Sequence, residues 1–188
     1  QTVVGELEVK HRTLSEVPRL LMREPHSQAV AKCVYDRQGW SARNGGLEKR
    51  FILWASADSS IEAFCKISEN RHDFARLRYV RQDGMPAFYC PDFLVRTADT
   101  IYLVETKAQK DVNHPDVQRK LRAAVTWCAQ ISELPPALRQ DRQWHYVLLG
   151  ETLCTDWQQK GGNLADLLAF SRARETQSPS RQATLAGF

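Results

Sequence analysis

No run of this sequence approaches the roughly 18 consecutive apolar residues that a membrane-spanning helix needs. Nor does the N-terminus show a charged lead, an apolar stretch and a small-residue cleavage site. A spanning or secreted protein is therefore not expected, and the expected location is cytoplasmic. Cysteine is scarce: the five residues, at 33, 65, 90, 128 and 154, never form a C-x-x-C pair. That spacing argues against a zinc ribbon, and an odd number suits reduced thiols better than a disulfide framework. The five histidines, at 11, 26, 72, 114 and 145, include no H-E-x-x-H, the spacing a zinc hydrolase uses. G-x-x-x-x-G-K-[ST] does not occur either, so these 188 residues encode no P-loop motor. Methionine occurs only at 22 and 85 and the first residue is Gln1. The chain thus reads as a piece of a longer polypeptide, with any motor expected elsewhere on it or in a partner.

What is present is globular material, 43% hydrophobic. A chain of this size buries roughly two-thirds of its extended surface, enough for one domain without metal or disulfide staples. The net charge of +4 is small but concentrated. Residues 71 to 81 carry Arg71, Arg76, Arg78 and Arg81 against Asp73, and residues 107 to 122 carry Lys107, Lys110, Arg119, Lys120 and Arg122 against Asp111 and Asp116. Two such clusters point to an anionic partner.

Alternation over residues 1 to 12 suggests a strand, residues 14 to 22 a short helix broken at Pro18, and the β-branched run Val30 to Tyr35 another strand. Leu47, Phe51, Trp54 and Ala55 share one face of a predicted helix over 47 to 57, with Glu48 at the edge of that stripe. Residues 61 to 67 are ambiguous. Phe74 to Val80 and Ala87 to Val95 flank an Asp83-Gly84 hairpin signal. A third strand, Ile101 to Lys107, places Ile101, Leu103, Glu105 and Lys107 on one side. The clearest helix follows, with Asn113 or His114 as cap, Pro115 in the first turn, an inward stripe of Val117, Leu121, Ala124, Cys128 and Ile131, and a stop at Pro135-Pro136. Trp144 to Leu149 is a last strand and Leu164 to Phe170 a last helical segment. A polar tail is expected over 171 to 188.

Charge gathers where the apolar strands end. Pro91-Asp92 falls within the second hairpin strand, and Glu105-Thr106-Lys107 closes the third; a short turn joins the two, so Asp92 and Glu105 can face each other. At about 4 Å and an effective dielectric near 20, two carboxylates repel by roughly 4 kcal/mol, a large share of a domain's stability. A divalent cation removes that penalty. Two carboxylates, a backbone carbonyl such as that of Thr106 and several waters suit Mg²⁺ or Mn²⁺. Such an ion activates water and stabilises charge during in-line attack on phosphorus, and Lys107 on the same face can orient that water. A solvated Glu-x-Lys pair beside a turn is the competing reading of the same residues.

P91-D92 followed by E105-T106-K107 resembles the active-site motif of the PD-(D/E)XK nuclease superfamily. The stretches EPHSQAVAKCVYD, GGLEKRF, IEAFCKI, FYCPDFLVR, IYLVETKA, LRAAVTWC and WHYVLLGE, over residues 24 to 151, resemble the C-terminal endonuclease domain of type III restriction-enzyme Res subunits and related DEAD/DEAH helicase-nucleases. The resemblance implies an α/β restriction-endonuclease-like core, a central mixed sheet flanked by helices, as one domain over 1 to 170. It implies Asp92 and Glu105 as metal ligands, Lys107 as catalytic lysine and Glu48 as a helix glutamate helping to hold the metal shell. It implies a Mg²⁺-dependent DNA endonuclease of restriction or phage defence, with DNA, a helicase/ATPase domain or subunit and a modification subunit as partners. Ala108 stands where that family favours Gly.

Other residues keep two readings. A first-turn glutamate such as Glu48 more readily compensates a helix dipole than it ligates, judged by sequence alone. Lys66 is a snorkelling stem or a phosphate contact. Arg119, Lys120 and Arg122 track a DNA backbone or form the wet face of their helix. Gln109, just past the motif strand, is a weaker candidate for contact with DNA or a metal-bound water. Two alternatives to the restriction role remain: a structure-specific or exonucleolytic repair nuclease, and a degenerate DNA-binding or assembly module.

Overall fold

The computed structural model describes residues 9–43 and 45–175. Its centre is a four-stranded mixed sheet in the order β3 (Ala63–Lys66), β6 (Phe93–Arg96), β7 (Thr100–Lys107), β8 (Gln143–Gly150). The first three run antiparallel and β8 lies parallel to β7. A parallel neighbour needs a long crossover, and α2 (Pro115–Glu133) provides it. Two small hairpins stand apart, β1 (Ser27–Ala29) with β2 (Arg37–Gly39), and β4 (Leu77–Val80) with β5 (Pro86–Tyr89). The remaining helices are α1 (Gly46–Ala57), α3 (Glu151–Gln159) and α4 (Leu164–Glu175).

β7 is buried along Thr100 to Thr106, with only Lys107 half-exposed, because helices cover both sides. That explains its nearly unbroken apolar run. On one face Tyr102 and Val104 pack with Phe51 and Ile52 of α1 and with Leu164, Leu167 and Leu168 of α4. On the other, Leu103 packs with Ala124 and Cys128 of α2 and with Leu77 and Tyr89 of the second hairpin. The charged end of β7 therefore emerges between two packed layers. His114 caps α2, its Nδ1 accepting from the Asp116 N–H at 3.3 Å, and Pro115 occupies the first turn.

Several expectations are corrected. The run Val30 to Tyr35 is a loop between β1 and β2. Its Lys32 has φ +62°, and Tyr35 Oη, donating to the carbonyls of Leu14 and Val17 and contacting His72 Nε2, anchors it non-locally. Residues 14 to 22 make only a 3₁₀ turn at Leu14–Glu16. Of the strand expected over 1 to 12, residues 1–8 lie outside the described residues and 9 to 12 are not extended into any sheet. The apolar run 87 to 95 divides at Cys90-Pro91-Asp92 into strands of different sheets. β4 and β5 thus form an insertion, with Gly84 at φ +82° in its turn, and the meander that carries Asp92 and Glu105 is β3, β6, β7. Helix α4 continues to Glu175, past the expected start of the tail at 171; residues 176–188 lie outside the described residues. Among the described residues no helix is long and apolar enough to cross a membrane.

Candidate active site

The β6–β7 register pairs Phe93 with Val104. One step further sets Asp92 against Glu105, as the sequence spacing leads one to expect. Asp92 stands immediately before β6, not inside the hairpin strand, because Pro91 lacks the N–H that would continue the ladder. Its carboxylate is held by β7: Oδ2 accepts from the Thr106 N–H at 2.8 Å and from Thr106 Oγ1 at 2.7 Å. The sequence reading assigned Thr106 a carbonyl role. Its amide and hydroxyl also fix the neighbouring acid, a contribution that the spacing of P-D and E-T-K did not reveal.

Glu105 is 5% exposed, on the α2 side of the strand. Its Oε1 lies 2.6 Å from Lys107 Nζ, whereas Oε2 is buried without a hydrogen-bond partner. Burial and the nearby Asp92 carboxylate push its carboxyl up to about 7, against the pull of Lys107 and Lys120. Burial draws the Lys107 ammonium down, but Glu105, Asp92 and Glu48 outweigh it and hold the pKa above the ordinary lysine value.

Glu48 reaches this field from the first turn of α1, yet its carboxylate is engaged. Oε1 pairs with Lys66 Nζ at 3.1 Å and Oε2 accepts from the Ser41 N–H at 2.9 Å. Lys66 therefore stands at the site through Glu48, its ammonium also 5.6 Å from the Phe93 ring. No sequence signal linked these two residues, which are 18 positions apart on separate elements.

Asp92 and Glu105 are the pair that fits a hard divalent cation. The orphaned Oε2 is a buried carboxyl oxygen that no described residue satisfies, and Mg²⁺ is commonly held by one or two carboxylates with waters completing the shell. Among the described residues no group of three or more His, Cys, Asp or Glu side chains gathers to hold a metal, consistent with Glu48 being committed to Lys66.

The remaining candidates separate. Gln109 begins a 3₁₀ turn and is exposed; its side chain covers Gly150, where a Cβ would lie 2.8 Å from Gln109 Oε1. Gly150 is the register partner of Lys107, so a glycine there lets the turn fold across the end of β8. Lys120 is half-buried and packed on aromatic rings, not on an open wet face. Its ammonium sits over Tyr79 and Tyr89, 5.5 and 5.4 Å from the ring centroids, and the Tyr89 hydroxyl donates to its carbonyl. Arg119 is half-buried, with Nε unpartnered, and Arg122 alone of the three is exposed. Sequence reasoning also missed a cleft of about 730 Å³ whose wall includes Asp92 and Lys66. Comparison with known proteins gives no match to a family model, a curated protein or a solved structure.

Proposed function

We propose that the chain is a Mg²⁺- or Mn²⁺-dependent DNA endonuclease, the nuclease module of a restriction or phage-defence helicase-nuclease. The observation that carries this reading is the Glu105 carboxylate, buried opposite Asp92 with one oxygen unsatisfied and the other against Lys107. Burying such a group costs free energy with no structural return, and groups perturbed in this way concentrate at functional sites. The motif resemblance assigns the same three residues. Asp92, oriented by Thr106, and Glu105 hold the ion; a bound Mg²⁺ or Mn²⁺ supplies activation of water and neutralisation of the charge that develops on the phosphoryl group. Lys107 orients the attacking water and stabilises that charge. The ATPase motor that loads DNA belongs to another part of the polypeptide or to a partner subunit.

Supercoiled plasmid incubated with the protein and Mg²⁺ or Mn²⁺, with the motor supplied where it is needed, is expected to be nicked and linearised, and EDTA to abolish it. Cleavage that persists under chelation, or in the Glu105→Gln variant, refutes the reading.

A further inference from the structure

The cleft beside Asp92 is built largely from segments outside the sheet. Leu21 and Arg23 come from before β1, Trp40 from just after β2 and Arg71 from the loop after β3, and they join Lys66 and Asp92 in its wall. Leu21 is 99% exposed, an apolar side chain that no described residue covers. Trp40 is half-buried against the core, and Lys49 places its ammonium 5.1 Å from the indole ring. Among the described residues neither Arg23 nor Arg71 is in an ion pair. Aromatic and apolar surface thus alternates with guanidinium groups outside any ion pair, in a space whose wall also holds Glu69 and ends at Asp92.

Unpaired nucleotides need that combination: base faces to stack on an aromatic ring and phosphates to meet cations. A duplex hides its base faces in its own stack and leaves Trp40 and Leu21 nothing to cover. The volume lies in the range of sites that enclose small ligands, roughly 300–1,000 Å³, and admits a short run of single strand. We propose that this cleft binds an unpaired DNA strand, its bases on Trp40 and Leu21 and its phosphates on Arg23 and Arg71, and delivers it to Asp92. The delivery rests on the nuclease reading of Asp92 and Glu105; strand binding is measurable without it.

Fluorescence anisotropy of the full chain, in EDTA so that nothing is cut, compares a labelled oligothymidylate with a duplex of equal length. The single strand is expected to bind more tightly. Trp40→Ala and Arg71→Gln should each weaken it about 5- to 10-fold or more, the scale of one stacked base or one phosphate contact. Arg71→Gln should also flatten the salt dependence by about 0.7 in slope, while Trp40→Phe retains most of the affinity. Where Trp40→Ala fails to fold, Trp40→Phe and Arg71→Gln still decide. Equal or tighter duplex binding, or unchanged single-strand affinity in folded variants, overturns the proposal. Plasmid nicking separates the two readings. Single-strand binding with no metal-dependent cleavage ends the nuclease reading and leaves the cleft, whereas duplex cleavage with no single-strand preference overturns the cleft alone.

Discussion

Lys107 Nζ lies 2.6 Å from one oxygen of Glu105, and the other oxygen of that carboxylate is buried with no partner among the described residues. One ammonium is thus set against two carboxylates, Glu105 and Asp92, and the excess negative charge is what a divalent cation or a proton would take up. A proton and such a cation would compete for the same oxygens.

This competition gives a pH dependence with a definite sign. Glu105 has a folded-state pKa raised from 4.5 to about 7. Its contribution to stability is therefore intact below about 4.5 and is lost as pH rises through about 7. Glu105→Gln should match the native protein in urea denaturation near pH 4 and exceed it at pH 8, by at most on the order of 3 kcal/mol. Mg²⁺ at pH 8 should raise the melting temperature of the native protein and leave that of the variant nearly unchanged. A stability gap that does not widen with pH contradicts the assignment.

The roles of ligand and lysine separate in calorimetric titration with Mn²⁺. Asp92→Ala and Glu105→Ala should lose both metal affinity and cleavage. Lys107→Met should lose cleavage yet still bind the ion, because an ammonium offers no lone pair. Since Lys107 holds the Glu105 carboxyl down, the pH at which metal binding sets in should move upward in Lys107→Met. Equal loss of affinity in all three variants is the result that refutes these roles.

Asp92 also has a structural duty, which sets its two substitutions apart. Asp92→Ala leaves the Thr106 N–H and hydroxyl without their acceptor, at a cost of about 2–3 kcal/mol. Asp92→Asn keeps an acceptor oxygen and removes a negative charge beside Glu105, so without metal it should be as stable as the native protein or more so. Thr106→Val, which retains the amide donor, should cost about 1 kcal/mol. Chemical denaturation of the three variants orders them, and a drop in Asp92→Asn as large as in Asp92→Ala shows that charge, not the acceptor, is what Thr106 requires.

The parts of the fold legible in the sequence are those determined locally. β7 is an apolar run with charge at its end, and α2 carries its own cap, first-turn proline and stripe. The Asp92–Glu105 juxtaposition was legible because a short turn between antiparallel strands leaves few registers. The β4–β5 insertion was not, since its apolar residues continue into β6 and only Pro91 marks the break. The loop Val30 to Tyr35 was misread because its β-branched residues favour a strand, while the hydrogen bonds of Tyr35 to residues 18 and more positions away decide the matter. The Glu48–Lys66 pair and the cleft are likewise products of chain crossing.

The basic helix shows how a charge run divides once it is folded. Lys120 lies over two tyrosine rings and helps to hold down the Glu105 carboxyl, whereas Arg122 is exposed on the same helix. Lys120→Met preserves most of the aliphatic packing and removes the charge, so the Glu105 carboxyl should titrate at a higher pH and the rise of cleavage with pH should move the same way. Arg122→Ala should leave that profile in place. Its effect, if a phosphate rests there, is a uniform weakening of binding to duplex sequences and a salt slope smaller by about 0.9. A pH profile that shifts with Arg122→Ala but not with Lys120→Met would reverse the assignment, placing the electrostatic support of Glu105 on the outer face of the helix.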